Sequence, residues 1–372
     1  MENEGKQFLV KDFINNDVIY SLNERLVSSY SDFDGQGFTN SVISKLPELE
    51  YKERIDWIAI NLRKYLPEDY ETALTILNNS LLEELPNKEE IRVNRFYIVA
   101  YNKFVSDYGL AHFDISMNSL LLQTKCFTSE FGIRAFINEY QSESFALLKK
   151  WAVSDNMHVR RLCSEGCRPR LPWAMQLKKL IANPVPILEL LELLKNDDEL
   201  YVRRSVANNL NDISKDYPYL VINTLKFWKN GTKNMDWLIS HALRTLIKKG
   251  NSEALALIGY KANPDIEINN FKFERNSCRI GEDVYFSFEL ISMEKQLLMI
   301  DYSVIFLKAN GSTSSKIFKL VKREFSENET VSFKKKQSFK HYTTRTIYPG
   351  IHFIELQING ERFGKIEIEV KE

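Results

Sequence analysis

His158-Val159-Arg160-Arg161 recurs as Tyr201-Val202-Arg203-Arg204, 43 residues further along the chain. That spacing falls within the ~40–47 residues of HEAT and armadillo repeats, whose stacked helices bury a continuous core. Both copies sit in helical context: Val202, Val206 and Leu210 return on one side of a helix. A looser third copy is expected at Trp237 to Gly250, around Arg244.

Working outward, the pattern stays helical to about residue 258. Tyr51 to Tyr65 places Ile55, Ile58, Leu62 and Tyr65 at helical spacing, and Leu66-Pro67 ends the run. Further helices are expected over Asp69–Leu85, 90–108 and 132–152. After residue 260 the period changes from 3.6 to 2. Seven strands are expected: Glu267–Glu274, Val284–Leu290, Leu297–Phe306, Lys316–Val321, Thr330–Gln337, Ile351–Gln357 and Arg362–Val370. Asn310-Gly311 and Asn359-Gly360 are hairpin turn signals. Cys278 is the only cysteine there, so an immunoglobulin-type sandwich would lack the antibody disulfide. The fold expected is therefore mainly α: a HEAT-like helical-repeat solenoid over 1–260, then an all-β immunoglobulin-like sandwich over 265–372. Lys261-Ala262-Asn263-Pro264 is the boundary.

Composition narrows the function classes. With 372 residues, 44% hydrophobic and 27% charged, the chain has ample core and is neither disordered nor fibrous. The acidic start Met1-Glu2-Asn3-Glu4 argues against a secretory signal, and no run of about 18 apolar residues exists. Four cysteines, Cys126, Cys163, Cys167 and Cys278, suit a reducing cytoplasm. Lys+Arg and Asp+Glu are 50 each, which at first sight argues against a nucleic-acid partner. The average hides structure. Residues 1–140 carry 14 basic and 22 acidic side chains, 141–260 carry 18 and 12, and 261–372 carry 18 and 16. The basic middle can be a polyanion-binding face or simply solvated helix surface.

No Gly-rich phosphate loop, nucleophile elbow or H-E-x-x-H helix is present. Cys163 and Cys167 share a helical face, but no second Cys/His pair completes a metal set, so they read as small hydrophobes. The stretch Val159–Trp173, VRRLCSEGCRPRLPW, is the informative one. Arg161 and Glu165 stand at i,i+4. Gly166 is expected at C′, which puts Glu165 at the unfavourable end of the helix dipole. Arg161, Arg168 or Arg170 must then neutralise it, or its position serves function. Two prolines stiffen the loop that presents Trp173. In the second copy Arg204, Asn208 and Asp212 form a polar stripe at i, i+4, i+8. Asn208-Asn209 and Asn211-Asp212 are poor helix formers, a mild pointer to function. Ser240, Arg244 and Lys248 repeat that spacing.

Trp151 to Trp173, Tyr201 to Asp216 and His241 to Gly250 resemble the AlkC branch of the alkylation-repair DNA glycosylases. Some members of that family also carry an immunoglobulin-like C-terminal domain. The resemblance implies a monofunctional DNA glycosylase of base-excision repair, acting on 3-methyladenine and 3-methylcytosine. It implies site carboxylates at Glu130, Glu165 and Asp212, an aromatic at Trp173 and a helix arginine at Arg161. The chemistry is consistent with that. A cationic methylated base leaves without much general-acid help, unlike a glycoside's leaving oxygen. Negative charge against the developing oxocarbenium sugar and a base to orient water are what the step needs. Glu165 and Asp212 suit those two tasks in either order. Trp173 would attract the cationic base. Arg161, Arg168, Arg170, Arg204, Asn208, Arg244 and Lys248 would contact DNA. The expectation is a cytoplasmic monomer that binds alkylated double-stranded DNA, with no cofactor, metal or membrane. The alternative is a non-catalytic helical-repeat scaffold binding DNA or protein.

Overall fold

The computed structural model describes residues 9–86, 88, 93–343 and 345–372. Among them a helical region precedes a strand-rich one. The helices are α1 (Asn16–Ser29), α2 (Gly35–Lys45), α3 (Tyr51–Tyr65), α4 (Tyr70–Asn79), α5 (Ile98–Tyr108), α6 (Phe113–Cys126), α7 (Ile133–Glu139) and α8 (Gln141–Trp151). They continue with α9 (Met157–Gly166), α10 (Lys178–Ala182), α11 (Val185–Leu194), α12 (Leu200–Ile213), α13 (Pro218–Trp228), α14 (Lys233–Ala242), α15 (Arg244–Lys248) and α16 (Ser252–Leu257). No helix among the described residues is long and apolar enough to cross a membrane.

Three expected helices differ from the observed ones. Asp69–Leu85 is too long: α4 stops at Asn79, where the Ser80 hydroxyl donates to the Leu77 carbonyl at 2.7 Å. A local hydroxyl competing for a backbone acceptor is a helix terminator that leaves no apolar signature. The expected helix over 90–108 begins at Ile98 as an α-helix, and its residues 90–92 lie outside the described residues. The expected 132–152 helix breaks at Tyr140 into α7 and α8. Tyr140 turns away with φ −117° and ψ 60°, and its ring packs edge-on against Phe113.

By compactness the chain divides into residues 1–216 and 217–372. That division does not coincide with the change of period near residue 260, because α13–α16 group with the strands.

In the first unit the 43-residue echo is written in hydrogen bonds. α9 and α12 begin 43 residues apart and pack on each other. Arg160 Nη1 donates to the carbonyls of Ser154 and Asp155, at 2.9 and 3.0 Å. Arg203 Nη1 donates to those of Asp197 and Asp198, at 2.5 and 2.8 Å. Each arginine ties the turn before its own helix to that helix. Val159 and Leu162 of α9 and Val202, Val206 and Leu210 of α12 are buried.

In the second unit the strands are β1 (Ile266–Phe273), β2 (Ser277–Arg279), β3 (Asp283–Ser292), β4 (Gln296–Leu307), β5 (Thr313–Phe325), β6 (Glu329–Ser338), β7 (Gly350–Ile358) and β8 (Glu361–Lys371). β1-β3-β6 form one sheet and β2-β8-β7-β4-β5 the other. Alternate residues of β3, Phe286, Phe288 and Leu290, share a core with Ile300 and Val304 of β4 and Ile354 and Leu356 of β7. The seven expected strands are present. β2 is the addition, and three residues are too few to show a period. Asn359 and Gly360 both have positive φ, 47° and 86°, as a tight two-residue hairpin requires. Asn310-Gly311 sits instead in a longer loop, where the Asn310 side chain accepts from the Ser312 N–H. A Cβ on Gly250 would lie 2.4 Å from the Gly360 carbonyl oxygen, so the α15–α16 turn and the β7–β8 hairpin touch backbone to backbone. Gln357 Nε2 adds a bond to the Lys248 carbonyl.

Candidate active site

α9 starts where the Asn156 side chain accepts from the N–H groups of His158 and Val159, satisfying two orphan donors. It ends at Gly166. The expectation of a left-handed C′ glycine is corrected here: Gly166 is the last helical residue and is not among the glycines with positive φ. Its demand is steric, since a Cβ there would lie 2.6 Å from Ile133 Cγ2. α7 therefore packs close against the last turn of α9, beside Glu165.

Glu165 is buried, and its two oxygens have separate partners. Arg168 Nη1 donates to Oε1 at 2.7 Å, and the Ser205 hydroxyl of α12 donates to Oε2 at 2.6 Å. Arg161 Nη2 lies 3.6 Å from Oε1. Arg168 Nε donates in turn to Asp212 Oδ2 at 2.9 Å, so one guanidinium bridges the two carboxylates. Lys215 Nζ takes the other oxygen of Asp212 at 2.9 Å. Arg161 Nη1 donates to Glu130 Oε2 at 2.7 Å and to the Thr128 hydroxyl at 3.1 Å. The three carboxylates and two arginines expected from sequence thus form one connected cluster.

Burial alone would drive the Glu165 carboxyl to hold its proton. The charges of Arg161 and Arg168 and the Ser205 hydroxyl outweigh it and hold the group below the usual carboxylate range. Burial likewise opposes the charge on Arg161, but Glu130, Tyr201 and Glu165 outweigh it and raise its pKa. The result is a buried yet ionised carboxylate, a fixed negative charge in a low-dielectric setting. At its helix C-terminus Glu165 is neutralised by both Arg161 and Arg168, the second in direct hydrogen-bond contact, while Arg170 pairs with Asp216.

Trp173 stands on the loop after α9 with φ 66°, a conformation that costs a bulky residue ~1–3 kcal/mol. Its side chain is 58% exposed, and its ring packs against Tyr51 of α3, centroids 5.8 Å apart. Burial, then the nearby charge of Glu130, pushes the Tyr51 hydroxyl up to about 12. Trp173 and Tyr51 also border a cavity of about 320 Å³ that Ile55, Phe131 and Met175 line as well.

The remaining expected residues are dispersed. Arg204 and Asn208 are half-buried on α12, on the polar stripe that ends at Asp212. Arg244 and Lys248 lie in the second unit. The expected stripe Ser240, Arg244, Lys248 is corrected: the helix breaks at Leu243, which leaves Ser240 on α14 and the other two on α15. Arg244 Nη1 donates to the His241 carbonyl, one of the acceptors freed by that break. Both line a cleft of about 1090 Å³ whose rim also carries Lys249, Lys316, Lys319 and Lys322. Asp301 sits among them, its carboxyl raised to about 6 by burial against the pull of Lys319 and Lys248.

Several residues of the cluster escaped the sequence reading: Thr128, Arg134, Ser205, Lys215 and Tyr51. Asn209 is another, its side-chain amide donating to the Ser164 carbonyl at 2.8 Å. Only the Asn-rich run on α12 hinted at it. Cys163 and Cys167 are fully buried, and burial pushes the Cys167 thiol up to about 12. Among the described residues no group of three or more His, Cys, Asp or Glu could hold a metal ion.

These features define a two-part class of protein: a helical unit with a buried, arginine-clamped acidic cluster beside an exposed tryptophan, followed by an immunoglobulin-like β module. Residues 126–246 match the DNA alkylation repair enzyme family, and residues 267–372 match the YhaZ C-terminal Ig-like domain. YhaZ of Bacillus subtilis (strain 168) is 39% identical over 362 residues, 97% of this chain and 99% of that protein. Pseudomonas fluorescens alkylpurine DNA glycosylase AlkC, solved bound to DNA containing an abasic site analog, superposes with a TM-score of 0.89 at 34% identity, covering 97% of this chain and 99% of that one. The chain belongs to the AlkC and YhaZ family of DNA alkylation repair proteins.

Proposed function

We propose that this chain is a monofunctional DNA glycosylase with a HEAT-like helical-repeat domain, acting as a monomer on alkylated duplex DNA. It hydrolyses the N-glycosidic bond of cationic bases, 3-methyladenine and 3-methylcytosine. The observation that carries the proposal is Glu165, buried and held ionised by Arg161 and Arg168 while Arg168 also binds Asp212. A methylated base leaves with its charge neutralised, while positive charge builds on the sugar. Preorganised carboxylates stabilise that charge without reorganising during the reaction. The clamping arginines keep Glu165 from taking up a proton although it is buried. Trp173, exposed and fixed in a strained conformation, offers a cation–π contact of ~0.5–2 kcal/mol to the lesion. A surface built only to hold phosphate would not gather Glu130, Glu165 and Asp212, whose charges repel the backbone, and this favours the glycosylase over a non-catalytic scaffold.

The test is release of free base from a panel of methylated duplexes, without added metal. Release of 3-methyladenine is expected, with Glu165→Gln and Asp212→Asn each lowering the rate by about 100-fold or more. Full activity in both variants would sink the assignment.

A further inference from the structure

We propose that Arg134 is a positioning residue that holds the loop carrying Arg168 and Trp173 in its working shape. The proposal rests on the glycosylase reading above and deepens it.

Arg134 lies on α7 and is fully buried. No carboxylate accepts from it in the described contacts. Its fork closes on three carbonyls of one loop: Nη1 donates to Gly166 and Arg168, at 2.9 and 2.8 Å, and Nε and Nη2 converge on Met175, at 3.0 and 2.5 Å. Those residues bracket the site. Gly166 follows Glu165, Arg168 is the bridge between Glu165 and Asp212, and Met175 comes two residues after Trp173.

The loop's own backbone bonds are long. Arg168 N–H reaches the Glu165 carbonyl at 3.3 Å, Ala174 N–H reaches Leu171 at 3.3 Å, and Leu177 N–H reaches Pro169 at 3.2 Å. Strained backbone such as Trp173 at φ 66° persists only where the surroundings over-determine it. Arg134 supplies four of the shorter bonds that do so. The C-terminal dipole of α9, which ends at Gly166, and the nearby charges of Glu165 and Asp212 favour a cation at this place. Burial, the largest influence, pulls the guanidinium down to about 10, so it stays charged at neutral pH. A planar five-donor fork meets carbonyls arranged this way; an ammonium cannot.

Arg134→Lys keeps charge and bulk but loses the fork. It should lower the single-turnover rate of base release by about 10- to 100-fold, the range a displacement near 1 Å produces, with binding of undamaged duplex within about twofold. The deciding measurement is a double-mutant cycle with Trp173→Ala. If Arg134 acts through the loop, Trp173→Ala costs far less in the Arg134→Lys background than in the wild type. Fold losses that simply multiply overturn the proposal, and so does full activity of Arg134→Lys. A measurement on the unaltered protein guards against a variant that does not fold: the amide protons of Arg168, Ala174 and Leu177, which bond carbonyls of this segment, should exchange far more slowly than those of a free loop. Exchange at free-loop rates overturns the proposal. If the wild type releases no methylated base at all, the glycosylase reading fails instead, and the exchange result still decides whether the loop is braced.

Discussion

Arg160 and Arg161 are neighbours in sequence with separate jobs. Arg160 ties down the turn before α9 and pairs with Asp197, with Nε donating at 2.6 Å. Arg161, one position round the helix, faces Glu130 and Glu165. The repeated R-R was legible, and the family resemblance named Arg161, Glu165 and Asp212, which Arg168 and the Arg161–Glu165 pair join in the structure. The division of labour was not, because it depends on which side of α9 meets α12. Ser205 and Arg134 were illegible for the same reason: a lone serine or arginine in a helix is ordinary until packing brings it to a carboxylate or a loop. The state of Glu165 has a consequence for stability. Its carboxyl is held below its ordinary value near 4.5, so its favourable interactions are fully present above that value and are lost as pH falls through and below it. Glu165→Gln should therefore destabilise the protein most at neutral pH, by less than the ~3–5 kcal/mol of an orphaned buried charge, since Arg168 keeps Asp212 and Arg161 keeps Glu130. In acid the protonated glutamate resembles the glutamine. Urea unfolding of both proteins should show their stability difference shrinking from pH 7 toward pH 3. A difference independent of pH would mean that Glu165 is not held ionised by its partners.

α9 is the element on which the site turns. Its N-terminus is set by Asn156, its flank by Val159 and Leu162, and its last turn by the contact of Gly166 with α7. Helix period and capping residues are local signals, so α3, α9 and α12 were readable. The C-terminal end of α4 and the breaks at Tyr140 and Leu243 were not, because individual side-chain contacts mark them, a hydroxyl and a guanidinium on nearby carbonyls and a ring on Phe113, and none of these leaves a periodic signature. Alternation marked seven strands for a like reason, each long enough to repeat, and missed β2, which is not. The glycine at the end of α9 gives a test of packing at this scale. Gly166→Ala would gain ~1 kcal/mol of helix propensity, but its methyl meets a β-branched side chain that cannot swing clear. A net loss of about 1–2 kcal/mol is expected from overpacking. Ile133→Ala removes the obstructing methyl, so Gly166→Ala should be far less harmful in that background. Equal losses in both backgrounds, measured by urea unfolding, would show that the α7–α9 approach is not what requires glycine.

Across the whole molecule the sequence placed its boundary where the period changes, at residue 260, whereas compactness divides the chain between Asp216 and Tyr217. Periodicity reports what kind of element a segment forms, and compactness reports what it packs on. The two disagree over α13–α16 because Gly250 and Gly360 meet without side chains between them, and because Gln357 and Asn359 bond the carbonyls of Lys248 and Lys261. Such contacts carry no apolar signature. They do make a prediction about cooperativity. A fragment of residues 217–372 should lose its helical and strand signals in one urea transition, with coincident midpoints by circular dichroism and tryptophan emission, since Trp228 and Trp237 lie in its helices. A fragment of residues 265–372 lacks the turn that covers Gly360 and leaves part of Leu255's contact surface bare. It should melt several degrees lower, at about 4–8 °C for each kcal/mol removed. If the shorter fragment is as stable as the longer one, the boundary at residue 260 is the physical one, and α13–α16 fold with the helices that precede them.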